Sequence, residues 1–206
     1  MTTTTPRPPD STPRSGTRTV LVFAVLAVVM AVTRLHHFGA VPDASWAVFF
    51  VAGFQLRGAL RWAFPALMAM AVAVDWLVIT GQGISFWQHY CVSPAYWCLI
   101  PAYFALWAGG SWLRARIGDA TGLRALGTAA AALLVSVALC HLIAQGSFYW
   151  ISASVAQPTL AGWWVNYTDW LGPYLAVAAM YVGIAAAIHV AVVRLAPATR
   201  APTARP

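Results

Sequence analysis

Ala125-Leu126-Gly127-Thr128-Ala129-Ala130-Ala131-Ala132-Leu133-Leu134-Val135-Ser136-Val137-Ala138-Leu139-Cys140-His141-Leu142-Ile143-Ala144-Gln145 runs without an Asp, Glu, Lys or Arg. About 20 apolar residues, rising 1.5 Å each in a helix, cross the roughly 30 Å hydrocarbon core of a bilayer. The stretch is long enough to do so, and its composition is that of the whole chain. Of 206 residues, 61% are hydrophobic and 8% charged, with mean hydropathy +0.71. A soluble domain carries about 25% charged residues. The sequence therefore specifies an all-α integral membrane protein, and its length suits one bundle with no second domain.

Working outward from 125–145, similar runs read as a six-transmembrane-helix bundle over 19–195. The expected spans are 19–35, 45–60, 61–80, 95–113, 125–145 and 173–195. Residues 1–18 and 196–206, rich in Thr, Pro, Ser, Ala and Arg, are expected to be disordered tails. The first run follows a basic tail, as a signal peptide would. No small-x-small cleavage site follows it, so an uncleaved helix is expected. Residues 146–172 read as a long aromatic connection with Phe148, Tyr149, Trp150, Trp163, Trp164, Tyr167 and Trp170, suited to a headgroup belt or a lid.

The net charge of +7 does not point to nucleic acid. Its arginines sit at the ends of apolar runs, as membrane topology requires. With both termini placed in the cytoplasm, every arginine except Arg34 falls on the inner side. That placement puts Arg34, His36, His37, Asp75, His89, Cys91, Tyr96, His141, Gln145, Asn166, Tyr167 and Asp169 in the outer third.

Asp75 is the sharpest single signal. A carboxyl within a span costs about 2.5–3.5 kcal/mol on insertion scales and marks a functional candidate, or a structural partner for Arg34. Cys91 lies in the polar break His89-Tyr90-Cys91-Val92-Ser93-Pro94 between two apolar runs. A neighbouring His favours the thiolate, which is both nucleophile and metal ligand. Tyr96 reads equally as an interfacial anchor or a ligand contact. His36 and His141 read as bundle or interface residues, with a ligand role the alternative. Trp163 and Tyr167 read as belt or lid. Cys98 and Cys140 sit among apolar residues and read as packing, although a Cys91–Cys98 disulfide would also fit. An odd count of three cysteines argues against a disulfide scaffold. Ala27-x-x-x-Ala31 is a small-xxx-small pair that would admit another helix, as in docking of an energising module.

The sequence has no phosphate-binding Gly-x-x-x-x-Gly-Lys-Ser/Thr, no His-Glu-x-x-His and no Gly-x-Ser-x-Gly. The chain thus carries no nucleotide site of its own. The residues leave open an uptake protein for a small solute, a membrane thiol redox protein using Cys91 with Cys98, or a structural protein with a polar interface.

The six-span pattern and the small-xxx-small pair resemble the S-components of energy-coupling-factor transporters. Asp75 in the third span, followed by Cys91-x-Ser93-Pro94-x-Tyr96-Trp97, resembles more narrowly the BtuM family of small, solitary cobalamin transporters of Gram-negative bacteria. The resemblance covers about residues 20–195, and its specific part is Asp75, Cys91 and Tyr96. It implies an inner-membrane protein that takes up cobalamin from the outer face. The Cys91 thiolate would ligate cobalt and assist removal of cyanide from cyanocobalamin. Asp75 and Tyr96 would position the corrinoid, with His36, His141, Trp163 and Tyr167 as further contacts. In one respect the chain departs from the family, having no Arg between Arg124 and Arg194, where a further functional Arg is expected.

Overall fold

The computed structural model describes residues 14–35, 41–89 and 92–195. The helices are α1 (Arg14–Leu35), α2 (Ser45–Gln55), α3 (Leu60–Gly81), α4 (Leu99–Ile117), α5 (Leu123–Ile151) and α6 (Leu160–Leu195). Short 3-10 turns precede α3 (Arg57–Ala59) and α4 (Pro94–Cys98), and a third covers Phe86–Gln88. No strand occurs among the described residues. Four helical segments are long and apolar enough to cross a membrane: Gly16–Leu35, Arg57–Gly81, Leu123–Ile151 and Leu160–Arg194. Apolar α2, with 11 residues, is too short by itself, and α4 carries Arg114 and Arg116 in its last turn.

Glycine lets α2 and α4 meet backbone to backbone. A Cβ on Gly53 would strike the main chain of Trp107, and one on Gly110 would strike the Phe50 carbonyl. The Ser111 hydroxyl donates to the Gly53 carbonyl at 3.0 Å across the same seam. On the next seam a Cβ on Gly109 would strike the Ser136 side chain of α5. Small residues allow such approach where lipid tails supply no hydrophobic force between helices. Around the seams the core is aromatic. Phe49 stacks on Tyr103 at 4.6 Å between ring centroids, and Phe64 meets Trp107 edge-on at 5.7 Å. Through these contacts α2, α4, α5 and α6 close into a ring, while α3 packs mainly on α1.

Several boundaries differ from the sequence expectation. Residues 146–172 are not a long connection. Residues 146–151 extend α5, residues 160–172 are the first turns of α6, and only 152–159 join them. The aromatic density over this stretch resembled a belt, but belt residues can equally stand on helices. Pro173 does not start the last helix but sits within it. Proline removes one backbone hydrogen bond and strains one turn, a loss tolerated within membrane helices. The second span expected at 45–60 ends at Gln55, and the fourth, expected to begin at 95, opens with 3-10 geometry. At its far end α4 stops at Gly118, whose φ of 57° only glycine adopts readily.

Ala27 is half-buried and packs against the core, and Ala31 is half-buried. The exposed stripe of α1 is instead Leu21, Val25, Val28 and Val32.

Candidate functional site

α1, α3 and α5 end where α2, α4 and α6 begin, and the polar groups of those helix ends meet there. Arg34, in the last turn of α1, is at the centre. Its Nε donates to Asp75 Oδ1 at 2.6 Å and its Nη2 to Asp75 Oδ2 at 2.7 Å. This fork matches a carboxylate and gives the strongest type of charged hydrogen bond. Its Nη1 reaches Asp43 Oδ2 at 3.1 Å, the Ser45 hydroxyl at 3.0 Å and the Tyr103 hydroxyl at 3.3 Å. Tyr96 donates to Asp75 Oδ2 at 2.6 Å. Asp43 is fixed in turn because its Oδ1 accepts the Ser45 amide at 2.9 Å and the Ser45 hydroxyl at 2.6 Å. The Arg34 side chain is only 11% exposed and that of Asp75 18%, so the charges are largely withdrawn from water. With two carboxylates to one guanidinium, the trio carries a formal net charge of −1.

This network forms one wall of a cavity of about 520 Å³. Trp46, His141, Gln145, Trp170 and Tyr174 contribute to the other walls. Trp46 and Tyr174 stack at 4.5 Å and 16°, with the His141 ring 5.4 Å from Tyr174. One side of the cavity is thus ionic and the other aromatic. His89 also lines it. A second cavity of about 300 Å³, lined mostly by apolar side chains, lies among Val72, Phe86, Trp87, Val92, Pro94 and Trp97, and Tyr96 lines both.

Asp75 and Tyr96, singled out from sequence, are therefore bonded to each other in the cavity wall. His141 lines it too, its Nε2 lying 3.1 Å from the Tyr167 carbonyl. Trp163 and Tyr167 were expected among the ligand contacts, but neither lines the cavity. Tyr167 donates to the Ala138 carbonyl at 3.1 Å, and Trp163 packs on Tyr167 at 5.9 Å. Their helical spacing on α6 turns them onto α5, behind His141. Cys91 and His36 lie outside the described residues. Cys98 and Cys140 are free thiols, so Cys98 is not in a disulfide. Among the described residues no group of three or more His, Cys, Asp or Glu could hold a metal ion.

Sequence reading missed Asp43, Trp46, Tyr103 and Tyr174 as cavity residues, and offered Arg34 as a possible structural partner of Asp75, the pairing found here. Arg34 carried a usable signal, being the one arginine placed against the charge bias. Asp43 preceding Ser45 at a helix start was another, since short acids there bind nearby backbone amides.

A smaller polar cluster occupies the opposite end. Arg114 donates to Asp119 Oδ1 at 2.6 Å and lies 5.2 Å from the centre of the Phe54 ring. This guanidinium holds the exposed Asp119 carboxyl below its ordinary range. His189 Nε2 lies 3.8 Å from the same carboxylate, and Gln55 Nε2 lies 3.5 Å from His189 Nδ1.

The chain matches no protein-family model and no curated protein.

Proposed function

We propose that this protein is a corrinoid uptake protein of the bacterial inner membrane, with six spans and both termini in the cytoplasm. Cobalamin enters the cavity between α1/α3 and the ring of α2, α4, α5 and α6. The observation that carries this reading is the Tyr96–Asp75 hydrogen bond in the cavity wall, 2.6 Å long. It joins two of the three residues on which the resemblance to the BtuM family rests, from different helices. His89, two residues before Cys91, lines the same cavity.

In this reading cobalamin is cargo. The Cys91 thiolate is a soft donor suited to cobalt. As the Cys91 thiol loses its proton and its sulfur takes the cyanide's place on the metal, the proton leaves with cyanide as HCN. Asp75 and Tyr96 hold the corrinoid at the ionic wall, and Arg34 keeps the Asp75 carboxylate turned toward them. The aromatic wall of Trp46, Tyr174 and His141 offers flat apolar surface to the ring system. The arginine distribution supports the orientation. Among the described residues Arg34 alone lies at the cavity end, while Arg18, Arg57, Arg61, Arg114, Arg116, Arg124 and Arg194 lie toward the other. An energising module, if one docks, meets the exposed Leu21–Val32 stripe of α1, because Ala27 of the Ala27/Ala31 pair faces the core.

Equilibrium binding of cyanocobalamin to the purified protein tests the proposal. Saturable one-to-one binding, weakened by Asp75→Ala, supports it, and no binding rejects it. One observation favours a second reading, uptake of a smaller vitamin. At about 520 Å³ the cavity falls within the roughly 300–1,000 Å³ usual for drug-sized ligands, whereas a corrinoid is much larger and would extend into the open mouth.

A further inference from the structure

The polar groups at the ionic end of the cavity are mutually bonded, but another polar pair in its wall is only partly satisfied. Gln145 of α5 and Asn166 of α6 both line the cavity. Gln145 Nε2 donates to Asn166 Oδ1 at 2.6 Å. Gln145 Oε1 is buried and has no hydrogen-bond partner. Asn166 Nδ2 donates to no acceptor among the described residues. Each side-chain amide offers two donors and a carbonyl acceptor. One bond between them therefore leaves a spare acceptor on one and a spare donor on the other. As placed, the buried spare atom is the Gln145 carbonyl oxygen; turning both amides over would still leave the pair one spare donor and one spare acceptor. A buried carbonyl oxygen without a partner is costly, which makes it a strong acceptor for an incoming N–H. The last side-chain torsion of Gln is broad, so the amide can turn toward the cavity at little cost.

We propose that Gln145 and Asn166 form an amide-reading edge, at which a carboxamide of the substrate donates its N–H to one side chain and accepts from the other. The proposal rests on the corrinoid uptake reading and deepens it, since a corrin ring bears carboxamides around its rim. An ester in the same position accepts but cannot donate, and leaves the buried oxygen unpaired. Sites built to bond a polar group reject analogues lacking it far more strongly than apolar pockets reject a methylene.

The test compares two probes on the purified full-length protein. Dicyanocobinamide carries the rim amides, and dicyanocobyrinic acid heptamethyl ester carries esters instead. Partition of each probe into detergent micelles is measured separately. Wild type is expected to prefer the amide probe by about tenfold or more. Gln145→Leu should narrow that preference to within about threefold, mainly by weakening the amide probe, whereas Asn166→Leu removes a donor that both probes can use and should weaken both. Melting temperatures close to that of wild type show that the variants are folded. Equal binding of both probes by wild type, or an undiminished preference in a folded Gln145→Leu, overturns the amide edge and leaves the uptake reading standing. Failure of wild type to bind either probe overturns the uptake reading, and the amide edge falls with it.

Discussion

Arg34 holds Asp75 through two parallel hydrogen bonds, Nε to Oδ1 at 2.6 Å and Nη2 to Oδ2 at 2.7 Å. The pair joins the last turn of α1 to the last turns of α3, and the remaining donors of Arg34 reach Asp43, Ser45 and Tyr103. Removing the guanidinium leaves two carboxylates in a largely dry site. Breaking a buried pair from one side costs about 3–5 kcal/mol. Arg34→Met should therefore lower thermal stability in detergent sharply. Arg34→Lys should not restore it, because an ammonium cannot form the fork. Arg34→Met with Asp75→Leu should recover part of the loss, since one of the stranded charges is then gone. A double variant no more stable than Arg34→Met would show that Asp75 is not the main stranded charge.

The α2–α4 seam gives a second prediction. A Cβ at Gly53 or Gly110 meets main-chain atoms, which cannot move aside as a flexible side-chain tip can. Gly53→Ala and Gly110→Ala should each destabilise by about 1–3 kcal/mol or more, the usual cost of overpacking. Gly127, on α5, has nothing within 4 Å of an added Cβ. Gly127→Ala should be neutral or stabilising by up to about 1 kcal/mol, through helix propensity. Melting curves of the three variants check the contrast.

Trp46 and Trp163 separate ligand contact from helix packing. Trp46 lines the cavity and stacks on Tyr174, while Trp163 packs on Tyr167 outside it. Loss of a large buried contact surface costs about 1.5–3 kcal/mol. Trp46→Ala should therefore weaken cyanocobalamin binding by about tenfold or more, and Trp163→Phe should change it less than about twofold. The reverse pattern would mean that the ligand meets the Trp163 side of α6 rather than the Trp46–Tyr174 wall.

At the opposite end, Asp119 has its carboxyl pKa lowered, first by the hydrogen bond from Arg114. A lowered folded pKa contributes stability above the unfolded carboxylate value of about 4, and that contribution is lost as pH falls through the folded value. Asp119 is 61% exposed, so the contribution is small. Wild type should exceed Asp119→Asn slightly and evenly above about pH 5, and the two should converge below about pH 4. A difference that grows in acid would mean that another group dominates.

Much of the fold could be read from the chain because membrane insertion imposes a coarse rule, long uncharged runs ending at arginines. Each of the six expected runs overlaps one of the helices. The aromatic segment at 146–172 was misread because composition alone does not distinguish an interfacial loop from helix ends standing at the same depth. In the site, Asp75 and Tyr96 were legible as polar groups placed against an apolar background. Their bond to each other was not, because it depends on helix rotation, which spacing within one helix does not fix. For the same reason the chain does not show on which side of α6 Trp163 and Tyr167 stand; in the structure neither lines the cavity. Asp43 and Tyr103 both bond Arg34, and the contact with Tyr103 joins positions 69 apart in the chain.

The most direct test of the central claim is the visible absorption spectrum of cyanocobalamin mixed with the purified protein. If the Cys91 thiolate takes the place of cyanide on cobalt, wild type shifts the corrin bands and releases cyanide. Cys91→Ala then leaves the spectrum of free cyanocobalamin unchanged while keeping its melting temperature. An unshifted spectrum with wild type, or the same shift and cyanide release with Cys91→Ala, would contradict the account.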